Sequence, residues 1–337
     1  MNAAELSKAG QEKLKACFLE DQHLQKIVGL RTVSDLNAIV QAGHATQIIN
    51  VTEALQERKI ISVADRIKES GCRLILLAGP SSSGKTTTSK RLAVQLAAAG
   101  RWPMTISMDD YFLDRELTPR DANGEYDFEC IDALNIPLFN QQLSDLLDGK
   151  EVELPRYDFT TGKSQPSGRR LQCRPTDVLI VEGIHALNPD LTPAISRDRK
   201  FQLYVSALTT IQLDEKRYIS TTDNRLIRRI VRDYQFRSYT AQQTIQRWPS
   251  VRAGEEKWIF PYQENCDMML NSALLYELAV IRNRVLPMLV EVPKDCPERA
   301  EAERLTDLLT FFRPIPEKQI PPVSLLREFL GGSSFKY

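Results

Sequence analysis

Short apolar runs that stop abruptly recur along the chain. The first, Leu74–Ala78, is closed by Gly79 and Pro80. A run this brief, ended by glycine and proline, suits a buried parallel strand better than a helix. Runs of the same kind predict five strands, at residues 74–78, 104–107, 178–181, 201–205 and 268–270.

Longer stretches with apolar residues at helical spacing separate these runs. They predict helices at residues 85–99, 136–147, 223–234, 274–286 and 298–312. Strands that alternate with helices indicate an α/β protein with a parallel sheet between helical layers. Residues 151–172 interrupt the alternation, and the turn residues Gly162, Pro166 and Gly168 predict a hairpin inserted there.

The first 70 residues carry helical patterns and no cluster of chemically reactive side chains. We therefore predict two units, a helical N-terminal extension over residues 1–70 and an α/β domain over residues 71–337.

Composition narrows the range of partners. The 337 residues include 44 Lys and Arg against 44 Asp and Glu, so no net positive field attracts nucleic acid or an anionic membrane. The six cysteines are scattered without a C-x-x-C pair, which predicts free thiols rather than a zinc site. With no apolar signal segment or membrane-spanning run in the sequence, we expect a cytoplasmic protein.

The motif that carries the most chemistry lies between the first predicted strand and the next helix. It reads Gly79-Pro80-Ser81-Ser82-Ser83-Gly84-Lys85-Thr86-Thr87 and fits the P-loop pattern G-x-x-x-x-G-K-[ST]. Small residues let backbone N–H groups surround phosphates, and the helix N-terminus adds positive potential. The motif predicts an ATP site that includes Gly79, Ser81, Ser82, Ser83, Gly84, Lys85, Thr86 and Thr87, in a doubly wound P-loop NTPase fold.

Carboxylates follow two of the predicted strands. Asp109 comes just after the second strand, whose carboxyl end should open on the same crevice as the P-loop. It is our candidate for the base that orients an acceptor hydroxyl, although paired aspartates after a strand are also common as helix caps or solvated turns. Glu182 ends the strand at 178–181 and, with Thr86, is the predicted Mg²⁺ ligand.

Four arginines recur at helical spacing further along the chain, at positions 225, 228, 229 and 232. They share one helix face, with Leu226, Ile230 and Tyr234 predicted to pack on the other. An arginine stripe is usually a solvated face. In a P-loop enzyme, however, the same stripe predicts a helical lid whose guanidinium groups neutralise phosphates.

These elements occur in an order that resembles the uridine kinase and phosphoribulokinase family of P-loop kinases, and uridine/cytidine kinases in particular. The matching segments are the P-loop, Asp109-Asp110-Tyr111-Phe112, Tyr126-Asp127-Phe128-Glu129, Pro155-Arg156-Tyr157-Asp158-Phe159, Glu182-Gly183 and the arginine helix. The C-terminal Ser324-Leu325-Leu326-Arg327-Glu328-Phe329 is similar to a bacterial branch of uridine-kinase-like proteins.

The resemblance implies a kinase that moves the γ-phosphoryl group of ATP, with Mg²⁺, to the 5′-hydroxyl of uridine or cytidine. It also implies homo-oligomers, which family members often form. By this resemblance Asp109 is the catalytic base and Glu129 binds ribose hydroxyls. It also puts Tyr157 beside the base of the acceptor and the lid residues Arg225, Arg228 and Arg232 around the phosphates, with Arg228 and Lys85 catalytic. From their positions we further predict that Tyr111, close after Asp109, and His185, two residues beyond Gly183, contact the acceptor, although lone histidines more often make structural hydrogen bonds.

Two alternatives stay open. The residues that depart from nucleoside kinases lie around the acceptor: Glu129 stands where those kinases have Asp, and Gly162 falls near their base-reading histidine. The same phosphoryl transfer to a sugar phosphate or a pantothenate-like alcohol therefore remains open. A different class of function is an ATP-dependent regulatory protein in which the nucleotide switches conformation without transfer.

Overall fold

A computed structural model describes residues 10–120, 124 and 126–336. Five parallel strands form its sheet: β1 (Leu74–Ala78), β2 (Pro103–Ser107), β5 (Val178–Glu182), β6 (Lys200–Ser206) and β7 (Met268–Asn271). Their order across the sheet is β2-β5-β1-β6-β7. All five predicted strands are confirmed, with ends that differ by one residue or less from the predicted ones. The carboxyl ends of β1, β2 and β5 are neighbours, so the residues that follow these strands open on one edge of the sheet.

The helices have the bounds α1 (Glu12–Val28), α2 (Val33–Gln41), α3 (Ala45–Ser70), α4 (Lys85–Ala98), α5 (Ile136–Leu147), α6 (Thr221–Arg237), α7 (Ala241–Trp258), α8 (Glu277–Val290), α9 (Arg299–Thr310) and the single turn α10 (Arg327–Leu330). One face of the sheet, with Ile75 and Leu77 of β1, packs against α3 and α4. The opposite face, with Leu74 and Leu76, packs against α5. The protein is therefore an α/β fold with helices on both faces of a parallel sheet.

A third core lies beside the sheet and is made by helices α2, α6, α7, α8 and α9. Ile227 and Ile230 of α6 and Ile281 of α8 are fully buried in it. The last described segment also enters this core, because Leu325, Leu326 and Phe329 are fully buried.

The inserted hairpin is confirmed. Strands β3 (Glu151–Asp158) and β4 (Lys163–Gln172) pair antiparallel outside the main sheet, with a shift of register between Glu153 and Pro155. Leu154 and Tyr157 of β3 are buried against the body of the protein, whereas β4 is largely exposed. This one-sided burial gives β3 its inward pattern and leaves β4 polar.

Three helices, α1 to α3, make up the described part of the first 70 residues. Phe18 of α1, Leu36 of α2 and Ile60 of α3 each belong to a different one of the three cores. These helices therefore contribute to all three cores of the α/β body. The division of the chain at residue 70 stays a prediction.

Helix α7 was not predicted from the apolar pattern. It contains Pro249 in its interior and only a thin apolar stripe that includes Ile245, Trp248 and Val251. A capping box does mark its start, since Thr240 and Gln243 bond each other's backbone N–H groups. That four-residue signal could have located the helix.

Candidate active site

A cavity of about 730 Å³ opens at the carboxyl edge of β1, β2 and β5. The P-loop forms its floor, α6 and α7 form one wall, and the segments around Asp109 and Glu129 form the other. Of the predicted site residues it brings together Ser81, Ser82, Ser83, Gly84, Lys85, Thr86, Asp109, Glu129, Glu182, His185 and Arg232.

The P-loop conformation depends on its glycines. Gly84 has φ +82° and caps helix α4, whose first residue is Lys85. A Cβ added at Gly79 would lie 2.1 Å from the carbonyl oxygen of Val205, so only glycine lets β1 pass so close to β6. Gly79 therefore shapes the loop from outside the cavity, and the residues that face the cavity begin at Ser81.

Lys85 and Glu182 face each other across the floor of the cavity. The Lys85 ammonium donates to the carbonyl oxygens of Gly79, at 2.9 Å, and Pro80, at 3.2 Å. Burial raises the pKa of Glu182 to about 7, against the opposing effect of Lys85 and a hydrogen bond from the Thr86 side chain. Oε2 of Glu182 is buried without a hydrogen-bond partner among the described residues. A hydroxyl and a carboxylate with spare acceptor capacity are the oxygen ligands that Mg²⁺ prefers, so these residues fit that ion.

Asp109 lies in the turn that follows β2. Its backbone N–H donates to the side chain of Ser107, which fixes the turn. Asp109 is exposed to the cavity and lies within its enclosing walls. This enclosure raises its pKa, while the charges of Lys85 and Arg237 act in the opposite direction.

The far end of the cavity is lined mainly by aromatic side chains. Phe112 contacts both Phe128 and Phe159 edge to face, with ring centroids 5.6 and 6.2 Å apart. Glu129 and His185 also line this end. Burial lowers the pKa of His185 to about 4, against the opposing effect of a hydrogen bond with the Glu129 backbone, so the imidazole is neutral at pH 7. A neutral imidazole beside aromatic side chains suits a planar, polar organic molecule.

Three arginines enter the cavity from α6, two from the predicted stripe, Arg229 and Arg232, and one outside it, Arg237. Asp233 is 3% exposed and pairs with Arg229, Arg232 and Arg237, all of which line the cavity. The Nη1 of Arg229 donates to the Ser81 hydroxyl at 2.7 Å. Of these three, only Arg232 was predicted to bind ATP. Spacing identifies a shared face but cannot say which part of that face meets the cavity.

Two predicted phosphate contacts are wrong in placement. Arg225 and Arg228 do not line the cavity, because they are 2% and 0% exposed and form ion pairs with Glu255 and Glu277. Arg228 therefore cannot touch the transferred group in this conformation. Tyr234, predicted to pack inward, is 45% exposed.

The predicted acceptor contacts Tyr111 and Tyr157 are also absent from the cavity wall. The Tyr111 hydroxyl donates to Gln142 at 2.7 Å, away from the site. Tyr157 is 4% exposed and supports Phe112 and Phe159 from behind, at centroid distances of 5.5 and 5.0 Å. The phenylalanines take the place that sequence reasoning gave to the tyrosine.

Residues 74–275 match the model of the phosphoribulokinase / uridine kinase family. The chain belongs to this family. It is 30% identical over 200 residues to the uridine kinase of Lactobacillus helveticus (strain DPC 4571), which covers 58% of this chain and 85% of that protein. It is 31% identical over 199 residues to the uridine kinase of Ligilactobacillus salivarius (strain UCC118), with 58% and 84% covered. The uridine kinase of Staphylococcus aureus (strain JH9) is 30% identical over 199 residues, with 58% and 86% covered.

Membership makes this chain a kinase, a phosphotransferase that takes ATP and a small-molecule acceptor. None of the helices in the described ranges is long and apolar enough to cross a membrane. All six cysteines lie in those ranges and are free thiols.

Two carboxylates at the P-loop of this kinase were not among the predicted site residues. Oε1 of Glu255, on α7, accepts the Ser81 N–H at 3.0 Å, from 174 positions away. Oε2 of Glu328, on α10, accepts from the backbone N–H and the hydroxyl of Thr87, from 241 positions away. Thr87, predicted to bind ATP, is buried beneath Glu328 and does not line the cavity.

Proposed function

We propose that this kinase transfers the γ-phosphoryl group of ATP to the 5′-hydroxyl of a nucleoside, with uridine and cytidine as the first candidates. One observation carries the proposal. Asp109 shares a cavity with the P-loop lysine, and the same cavity has an aromatic wall and is lined by Glu129 and His185. An aromatic wall stacks on a planar base, and a carboxylate accepts hydrogen bonds from ribose hydroxyls.

In this proposal the phosphates of ATP lie over the first turn of α4, between Lys85 and Arg232. Backbone N–H groups of the loop and the two cations hold the charge that is spread over the transferred group. Mg²⁺, when bound, would be held by Thr86 and Glu182 and would neutralise part of the phosphate charge.

Asp109 orients the acceptor hydroxyl and takes its proton. A carboxylate with a raised pKa accepts a proton more readily at neutral pH, and the enclosure of Asp109 supplies that shift. The charges of Lys85 and Arg237 oppose this rise in pKa and favour the ionised carboxylate. Glu129 contacts the ribose, and His185, as a neutral imidazole, offers a donor and an acceptor to the base.

A sugar phosphate is the second candidate acceptor, and Arg115 is the observation that favours it. A Cβ added at Gly162 would lie 2.7 Å from Nε of Arg115, so the missing side chain leaves room for this arginine. Arg115 lines the cavity and donates to the Phe159 carbonyl at 2.6 Å. A cation here would bind an anionic group on the acceptor.

The test is ADP release with Mg²⁺-ATP against uridine, cytidine, purine nucleosides, ribulose 5-phosphate and pantothenate. Asp109→Asn serves as the blank, and we expect it to lower kcat about 10²- to 10⁴-fold while the Kd for ATP changes little. Turnover on a nucleoside that Asp109→Asn abolishes would support the proposal. Turnover on ribulose 5-phosphate alone, lost in Arg115→Ala, would replace it with the second candidate.

A further inference from the structure

Glu328 is a carboxylate at the ATP site that lies outside the family match. The match ends at residue 275, whereas Glu328 belongs to α10 and lines the same cavity as Lys85. None of the roles proposed above uses this side chain.

The contacts of Glu328 are those that a phosphate oxygen would make. Thr87 is the third residue of α4, and the residue before the helix, Gly84, has no side chain to cap it. Oε2 of Glu328 accepts from the Thr87 N–H at 3.0 Å and from its hydroxyl at 2.8 Å. Free N–H groups in the first turn of a helix bind anions, and in a P-loop they bind the phosphates of the nucleotide. Glu328 thus takes an anion position on the P-loop helix.

The backbone around Glu328 is fixed in place. A Cβ added at Gly84 would lie 2.6 Å from the Leu325 side chain, so this segment packs directly on the loop. The Phe329 ring lies 5.1 Å from the Arg228 guanidinium and is fully buried. Arg327 donates to the carbonyl oxygens of Glu317 and Ile320 and holds the turn. Only the side chain of Glu328 is therefore able to leave, while its backbone stays.

Glu328 also adds negative charge where the triphosphate must enter. Burial lowers the pKa of Lys85 and raises that of Glu182, and the negative charge of Glu328 acts on both groups, so this carboxylate lies within electrostatic reach of them. An incoming phosphate would be repelled by this charge at the N-terminus of α4, and the repulsion opposes binding.

We propose that Glu328 is an autoinhibitory residue that occupies a phosphate position on the P-loop helix, so that ATP must displace its carboxylate to bind. The inference rests on the P-loop being the ATP site, as in the proposed function. It predicts that removing the carboxylate strengthens nucleotide binding, whereas a residue that helps to hold ATP or Mg²⁺ would weaken binding when removed.

The test is calorimetric titration of ATP, ADP and tripolyphosphate, without acceptor, into the full chain and its Glu328→Ala and Glu328→Gln variants. We expect the Kd of Glu328→Ala to be about tenfold lower for all three, since hydrogen bonds to a charged group are of that strength. Glu328→Gln keeps an acceptor oxygen without charge and should fall between the wild type and Glu328→Ala. It also serves if Glu328→Ala does not fold, because it keeps the size of the side chain.

The matched control is Glu303→Gln, which removes an exposed carboxylate on α9 and should leave every Kd unchanged. An unchanged or higher Kd in both Glu328 variants would overturn the inference. Binding without phosphorylation of any nucleoside would instead refute the proposed acceptor and leave the Kd comparison intact. A KM for the acceptor that falls as much as the KM for ATP would also contradict a role confined to the phosphates.

Discussion

Two sets of arginines on helix α6 have the same side chain and opposite surroundings. Arg225 and Arg228 are buried, each against one glutamate, whereas Arg229 and Arg232 extend into the cavity. The buried pair points to the back of the P-loop, because Arg225 donates to the Ser81 carbonyl and Arg228 to the Ser82 carbonyl. One helix thus holds the loop from behind and presents cations to its front.

The difference lies in the partners. Glu255 and Glu277 are 1% and 2% exposed, so their charges need the buried arginines. The cavity set shares a single carboxylate, Asp233, which leaves several cations for one anion. The excess positive charge of the cavity set is available to phosphates. The charges of Arg225 and Arg228 are already neutralised by buried glutamates and are not. The buried set should therefore govern stability and the cavity set turnover.

The largest effect should come from Arg228→Ala. It would leave Glu277 charged and buried without its partner, and breaking a buried pair in this way costs about 3–5 kcal/mol. Urea unfolding measures this loss in the free energy of unfolding. The control is Arg304→Ala, which breaks exposed pairs with Asp223 and Glu301 and should cost at most about 1 kcal/mol. Equal losses in the free energy of unfolding of the two variants would contradict the distinction between the buried set and exposed arginines.

Arg232→Ala should have the opposite effects, a small change in stability and a large loss of activity. Among the described residues its guanidinium forms an ion pair only with the adjacent Asp233, and it lines the cavity, so the free energy of unfolding should change by less than about 1 kcal/mol. The loss of one cation beside the transferred group should lower kcat/KM by about 10²-fold.

Steady-state kinetics with the acceptor found by ADP release measures the effect of Arg232→Ala. Arg232→Lys keeps the charge but not the paired N–H groups and should recover part of the activity. If Arg232→Ala unfolds the protein while its turnover per folded molecule is normal, Arg232 belongs with the buried set.

The sequence predicts the strands and helices around this site better than the contacts between its side chains. Short apolar runs locate the strands because burial on both faces leaves no other pattern, and the P-loop locates the helix start because the φ of +82° at Gly84 favours glycine. The ends of β1, β2 and β5 follow from the topology of parallel sheets. These features depend on local sequence or on a general rule of packing.

The side-chain contacts of the site depend on partners that are distant in sequence. Nothing near Arg225 indicates that Glu255 pairs with it, and nothing near Thr87 indicates Glu328. The helical spacing of the arginines is real, but the five consecutive residues 224–228 of α6 are all buried, so a shared face does not define an outward face. Tyr157 was misplaced for a similar reason, since the alternation of β3 shows that it is inward but not which neighbour covers it.

The smallest effect should come from Ser272→Ala, which tests whether the back of the P-loop is held by hydrogen bonds as well as by charge. Ser272 is fully buried, and its hydroxyl bonds the carbonyl oxygen of Ser83 beside the carbonyls that Arg225 and Arg228 bind. Removing one neutral hydrogen bond should lower the free energy of unfolding by about 1 kcal/mol.

Because Ser83 is part of the loop that binds phosphate, the KM for ATP should rise a few-fold after Ser272→Ala while the KM for the acceptor stays unchanged. Urea unfolding and steady-state kinetics measure the two quantities, and Ser250→Ala at an exposed position of α7 is the control. A stability loss as large as that of Arg228→Ala would mean that the serine, rather than the buried charge, holds the loop. An unchanged KM for ATP would mean that the arginines fix the loop without it.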